Sequence, residues 1–356
     1  ERTQALLERL RHDAIDGMLV TNLPNVRYLT GFSGTSAMLL VTAVQRWLFT
    51  DFRYAVQAQA EAGSVADIVV ETSSLWRGVW ETLRGTRNLH SLGFESAHMP
   101  HRDFERLLKD GSAWTWMPLI DVIERLREVK DEGELSAIRD AGKVAAVALE
   151  KTLGCVTSGM TELQVAGVLE HALRDAGSEV APFASIVASG ERTALPHARA
   201  GRRAIARGDF LLLDFGATVN GYVSDVTRTV VVGRADERQR QVHAAVQAAN
   251  EAARTRVRSG MTGKEADAIA RGVLEQYGLN EAFGHGLGHG IGLEVHEGPR
   301  LSRISEQVLQ EGAVVTIEPG VYVTGWGGVR IEDNVRLSAQ GAELLTEMPR
   351  HLIELS

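Results

Sequence analysis

Ser158-Gly159-Met160-Thr161 recurs as Ser259-Gly260-Met261-Thr262, and Gly167-Val168-Leu169-Glu170 recurs as Gly272-Val273-Leu274-Glu275. Two tetrapeptides repeated in order at nearly equal spacing point to a duplicated unit of helix plus strands. Duplication restricts this part of the chain to a pseudo-twofold arrangement, with a site expected between the halves. The charged segment 124–130 precedes it, and Asp131 with Glu134 forms a capping-box signature. The helix that follows keeps Leu135, Ile138, Ala141, Ala145 and Leu149 on one face until Gly154. The expected domains are therefore 1–122 and 123–356.

The first domain reads as an α/β layer. Leu6, Leu7 and Leu10 make an amphipathic start, and Gly17-Met18-Leu19-Val20, residues 37–41, Trp47-Leu48-Phe49, Ile68-Val69-Val70 and Leu92-Gly93-Phe94 read as short strands. Asn22-Leu23-Pro24-Asn25 and Gly31-Phe32-Ser33-Gly34 read as turns. No catalytic cluster is visible there. Acidic residues outnumber basic ones, 46 to 38, which argues against a nucleic-acid partner. The longest uncharged stretch, 28–45, carries Gly31, Ser33, Gly34, Thr35, Ser36 and Thr42, and is too polar to span a membrane. Residues 1–4 precede no apolar run of signal-peptide type, and Cys155 has no second thiol to pair with. The expectation is a cytoplasmic protein in which Cys155 is a small buried side chain.

The second domain carries the chemistry. Leu211-Leu212-Leu213-Asp214-Phe215-Gly216 is an apolar strand interrupted by a carboxylate, and Asn220-Gly221 is a strong hairpin signal. A two-residue turn there places Thr227 opposite Asp214 and Asp225 opposite Gly216. Asp214 and Asp225 then become diagonal neighbours on one face, roughly 7 Å apart at their backbones. For either alone, a solvated carboxylate at a strand end is the simpler reading; the shared face favours joint binding of an ion. A loop centred on Gly325 similarly puts Glu318 opposite Glu332, each interrupting a β-branched run where a charge is costly to bury. Two exposed glutamates on the wet face of a hairpin would read the same way. Residues 285–292 hold four glycines among eight positions, which excludes a stable helix and places His285 and His289 on one face of a strand. Four carboxylates in one volume repel, and protonation or cations relieve them. Two divalent ions would balance the charge; an oxygen-rich shell with one imidazole suits Mn, Zn, Co or Fe and points to hydrolysis.

His285-Gly286-Leu287-Gly288-His289-Gly290-Ile291-Gly292-Leu293-Glu294-Val295-His296-Glu297 resembles, along its whole length, the signature of the pita-bread metallopeptidases that cleave Xaa-Pro bonds, the family of prolidase and aminopeptidase P. Asn25-Val26-Arg27-Tyr28-Leu29-Thr30-Gly31-Phe32 and Thr50-Asp51-Phe52-Arg53-Tyr54 resemble that family's creatinase-like N-terminal domain. The resemblance implies an α+β fold, a pita-bread catalytic domain preceded by a smaller α/β domain. It implies two divalent ions per chain, Mn, Zn or Co, with Asp214 on one, His289 and Glu318 on the other, and Asp225 and Glu332 bridging. His197 and His296 match histidines that bind substrate and stabilise the tetrahedral intermediate, while His285, Tyr322 and Arg330 take pocket positions. Relatives more often carry Asn where Gly190-Glu191-Arg192-Thr193 has Arg192.

The implied reaction is hydrolysis of the Xaa-Pro imide bond, with a metal-bridging hydroxide attacking the carbonyl and Glu318 passing the proton to the leaving nitrogen. A chain of this length resembles microbial prolidases, which act on dipeptides; aminopeptidase P, acting on longer peptides, is the alternative. Methionine aminopeptidase shares the metal set but not the N-terminal domain, and a non-catalytic pita-bread module would have lost ligands that are intact here. Arg330, Arg46 and Arg53 are candidates to pair with a proline carboxylate. Relatives imply a homodimer, and the tryptophans read as core or interface filler.

Overall fold

The computed structural model describes residues 2–356, and the chain divides into two compact units between Arg127 and Glu128. The first is built on a six-stranded sheet in the order Asp67–Glu71, Arg46–Asp51, Ala37–Thr42, Gly17–Val20, Ser91–Glu95, Thr115–Leu119. Five of these strands fall on the apolar runs read from sequence. Leu19, Leu40, Phe49, Leu92 and Phe94 form a core with Trp76, Val79, Trp80 and Leu83 of the helix Leu75–Gly85. Trp76 stacks on Trp80 at 5.3 Å between ring centroids, so these two tryptophans are core filler. Asn22-Leu23-Pro24-Asn25 is a helix start rather than a turn: Leu23–Thr30 is helical and Gly31 ends it at φ 82°. Proline in the first helical turn has no N–H to lose, and its fixed φ suits the helix. Arg53 is committed to Asp51 through two hydrogen bonds of 2.9 Å, and Arg46 donates to the Val65 carbonyl.

In the second unit each half pairs two helices with a sheet. The repeated Ser-Gly-Met-Thr is a turn and cap in both halves: Gly159 and Gly260 adopt φ 96° and 85°, and Thr161 and Thr262 close capping boxes with Gln164 and Glu265. The helices they start, Glu162–Asp175 and Gly263–Gln276, are both 14 residues long. Each packs beside a long helix, Glu132–Cys155 or Glu237–Arg256, that also begins with a capping box. Ala141, Ala145, Leu149, Val165 and Leu169 bury against Leu211, Leu213, Phe215 and Val230 in the first half. Val242, Ala249, Ala266, Ala270 and Leu274 share a core with Val315, Ile317 and Val335 in the second. Cys155 is exposed, contrary to expectation, because the helix outruns its core, whose last buried contact is Thr152. Among the described residues no helix is long and apolar enough to cross a membrane.

The ladders have the expected registers and break where the carboxylates lie. Asp214 pairs with Thr227 between the strands Phe210–Phe215 and Val226–Val232, and the hairpin resumes beyond the break as Thr218 opposite Val223. Ile317 pairs with Asp333 and Gly320 with Arg330, leaving Glu318 and Glu332 at the gap between two ladders. Released from each other, the Glu318 amide donates to the Leu287 carbonyl and the Glu332 amide to the Thr227 carbonyl, which ties the two halves together.

Only Gly288–Gly290 of the glycine-rich run is a strand, so His285 lies in the loop before it and does not share a strand face with His289. Before the strand, the His285 carbonyl and the Leu287 amide are taken up by Arg271 and Asp267 rather than by a ladder, and within it the chain is squeezed between two neighbours: a Cβ on Gly288 would collide with the Thr316 carbonyl, and one on Gly290 with the Gly298 carbonyl. Gly290→Ala is therefore expected to lower stability by about 1–3 kcal/mol in urea unfolding; an unchanged midpoint would contradict this packing.

Candidate metal centre

Asp214 and Asp225 come from the first half of the duplication, and His289, Glu318 and Glu332 from the second. Asp225, His289 and Glu332 offer ligand atoms that all lie within 4.8 Å of one another. His289 Nε2 is 3.8 Å from Asp225 and 3.5 Å from Glu318. Burial raises the pKa of every carboxylate in the set, and repulsion from the other acids adds to it at Asp225, Glu318 and Glu332. Asp225 and Glu318 are pushed well above the carboxylate range, first by burial and then by Glu332, and Glu332 is pushed up to about 8 by burial and Asp214. Asp214 is raised by burial, an effect opposed by Arg330, His197 and His296.

Backbone and neighbouring side chains set each group. The Asn334 side chain bonds both ways to the Asp225 backbone, at 3.0 and 2.7 Å. Thr227 donates to Glu332 at 2.7 Å, and the Thr316 hydroxyl accepts from the His289 amide at 3.1 Å. His289 Nδ1 lies 3.0 Å from the Gly290 carbonyl. A carbonyl only accepts, so Nδ1 carries the proton and Nε2 faces the carboxylates with its lone pair free. Burial lowers the His289 pKa to about 4, which keeps the ring neutral and able to ligate near neutral pH.

The fit to a cation rests on two orphan atoms. Asp214 Oδ1 and Asp225 Oδ1 are buried with no hydrogen-bond partner. A buried carboxylate oxygen without a partner carries its full desolvation cost. Divalent cations would supply what these atoms lack and remove the repulsion among the four acids, so the donor set fits metal.

Around this set, Arg330 is buried and donates to Asp214 at 2.5 Å, to Thr227 at 3.0 Å and to Tyr322 at 2.7 Å. Tyr322, whose pKa burial pushes up to about 12, keeps its proton and donates to His285 Nε2 at 2.9 Å. His285 Nδ1 donates to the Gly286 carbonyl at 2.8 Å, so both ring nitrogens are engaged. The expected pocket residues thus form one chain from Asp214 to His285. His296 packs against the His289 ring at 4.4 Å between centroids, whereas His197 sits on an exposed turn after the 3-10 helix Gly190–Ala194.

Several contributors were missed from sequence. Thr227, Thr316 and Asn334 support the carboxylates and imidazole; only Thr227 had a signal, its register opposite Asp214. Arg271 pairs with Asp267 and donates to the Phe283 and His285 carbonyls, while Asp267 accepts from the Leu287 amide at 2.9 Å. Arg300 is exposed and stands directly opposite His289 in the antiparallel ladder. Its side chain has no hydrogen bond or ion pair among the described residues. The bulge between His289 and Gly290 sets this register, and nothing in the sequence announces it.

The family described as Metallopeptidase family M24 matches residues 136–339, and the Creatinase/Prolidase N-terminal domain matches residues 2–129. The chain is 37% identical to the Xaa-Pro dipeptidase of Pyrococcus horikoshii, over 99% of each chain. Its fold superposes on the Xaa-Pro dipeptidase from Bacillus anthracis with a TM-score of 0.95 at 36% identity, covering 99% of each chain. The X-Pro aminopeptidase from Thermotoga maritima superposes with a TM-score of 0.91, again at 36% identity and over 99% of each chain. A donor set suited to divalent ions, on a duplicated fold behind a creatinase-type first domain, agrees with these matches: the chain belongs to metallopeptidase family M24 and has its pita-bread catalytic domain.

Proposed function

We propose that the protein is an Xaa-Pro dipeptidase that holds two divalent ions, Mn, Zn or Co, on Asp214, Asp225, His289, Glu318 and Glu332. The observation that carries the metal reading is the pair of buried, unpartnered oxygens on Asp214 and Asp225. The substrate class is supported by full-length similarity to proteins named Xaa-Pro dipeptidase, in curated relatives and in solved structures. An X-Pro aminopeptidase of equal identity supports a second reading, in which longer peptides are cut at the same bond.

Ions bound here would lower the pKa of a water and polarise the scissile carbonyl. Glu318 and His289 keep 17% and 14% of their side chains exposed, so within the set they are within reach of substrate. Glu318 accepts the proton of the attacking water and delivers it to the proline nitrogen, which must leave as an amine. His296 and His197, both exposed, donate to the oxygen that gains charge as the carbonyl becomes tetrahedral. His285 has no free nitrogen and instead shapes the pocket through Tyr322 and Arg330. Arg330 is spent on Asp214, Thr227 and Tyr322, so Arg300, free and opposite His289, is the better reader of a proline carboxylate.

Three outcomes follow. Glu318→Gln should cut kcat by at least about a hundredfold while the protein still binds metal; near-wild-type turnover would remove Glu318 from proton transfer. Arg300→Ala should raise KM for Xaa-Pro dipeptides by about tenfold or more and leave Xaa-Pro-Xaa peptides unaffected, and equal effects on both would contradict carboxylate recognition. The third concerns metal-free protein. His243, His285 and His289 have pKa values lowered to about 4, so their share of stability is lost on acidification and is complete above about pH 6.5. The Glu332 pKa is raised to about 8, so its protonated form stabilises at low pH and that contribution fades as pH rises toward 8. Metal-free protein should therefore lose about 1–2 kcal/mol between pH 6.5 and 8, read as a falling Tm, and added Mn should reverse the trend. A Tm that rises with pH over this window without metal would contradict the buried repulsion.

A further inference from the structure

The turn that carries His197 is fastened on both sides by arginines. On one side Arg330 donates to the Pro196 carbonyl at 3.3 Å. On the other, Arg192 donates through one terminal nitrogen to the Arg199 carbonyl at 2.6 Å, and its Nε shares both oxygens of Glu162 at 3.1 Å. Glu162, at the start of the helix Glu162–Asp175, is completely buried. Its carboxylate also accepts from the Ser189 amide at 2.8 Å, the Ser189 hydroxyl at 2.9 Å and the Gly201 amide at 2.9 Å. One carboxylate therefore holds the two ends of the 189–201 segment, and Arg192 reaches across from it to the residue two beyond His197. Within the segment the Leu195 amide donates to the Arg192 carbonyl and the Ala198 amide to the Leu195 carbonyl. His197 itself is exposed and borders a cavity of about 650 Å³ lined also by Arg192, Leu195 and Arg199. An exposed imidazole on a turn with few backbone bonds has no rigidity of its own. Its position is inherited from the clamp.

We propose that Arg192, braced by Glu162, is a positioning residue that sets His197 for the hydrolytic step. This rests on the reading of His197 as a donor to the developing oxyanion. Only a guanidinium serves the clamp, because one planar group must face a carboxylate through Nε while a terminal nitrogen reaches a carbonyl; the single nitrogen of lysine cannot do both. Because Arg192 is committed to Glu162 and the Arg199 carbonyl, its loss is expected to reduce kcat more than it changes KM.

The test is a double-mutant cycle on metal-loaded enzyme, with amide hydrogen exchange over 195–201 measured on metal-free protein. Arg192→Ala should lower kcat about tenfold with KM within about twofold, and Arg192→Lys should lose about as much. Exchange over 195–201 should accelerate in both variants while the helix Glu162–Asp175 stays protected, which excludes global unfolding as the cause. In a His197→Ala background, Arg192→Ala should have an effect of less than about twofold, since the group it positions is gone. A full tenfold loss in a defective His197→Ala enzyme would overturn the proposal and leave the role of His197 intact. A His197→Ala enzyme with wild-type kcat would overturn both.

Discussion

Four carboxylates share a volume from which water is largely excluded, and this repulsion is the constraint around which the second unit is arranged. Burial raises every one of their pKa values, repulsion from the other acids adds to it at Asp225, Glu318 and Glu332, and two of their oxygens have no partner. A fold gains nothing in stability from such a cluster by itself. What holds the groups there is the backbone: Glu318 and Glu332 stand at a gap between two ladders, where their amides bond to Leu287 and Thr227 instead of to each other. The apolar cores of the two halves supply the stability that lets the gap persist.

Opposite charge is rationed around the acids. Among the described residues Arg330 is the one cation that bonds directly to one of them, Asp214, and it is itself immobilised by Thr227, Tyr322 and Pro196. Arg228 pairs with Asp333, not with Glu332, and donates to the Glu332 carbonyl rather than its carboxylate. The other three acids have no such cation among the described residues, in keeping with the proposed metal binding. Neutral imidazoles complete the arrangement, since a histidine with a pKa lowered to about 4 contributes a lone pair without a competing charge.

Much of this was legible in the sequence because it follows from local rules. Asn220-Gly221 determines a turn and hence a register, and the register determines which residues face Asp214. The Gly325 loop did the same for Glu318 and Glu332, and the repeated Ser-Gly-Met-Thr marked two helix starts that proved to be capping boxes. The failures were equally physical. His285 left the strand because the backbone of 285–287 is held by Arg271 and Asp267, a tertiary contact, and Pro24 opened a helix where Asn-Leu-Pro-Asn suggested a turn. Asn334 and Arg271 act through residues distant in sequence, and Arg300 is brought opposite His289 by a bulge, so no spacing rule could have found them.

An acidic cluster this costly to bury is explained if it holds cations. Anomalous diffraction from manganese-soaked crystals measures that directly. Two peaks enclosed by Asp214, Asp225, His289, Glu318 and Glu332 are expected, whereas crystals with no ordered manganese among these five side chains would contradict it.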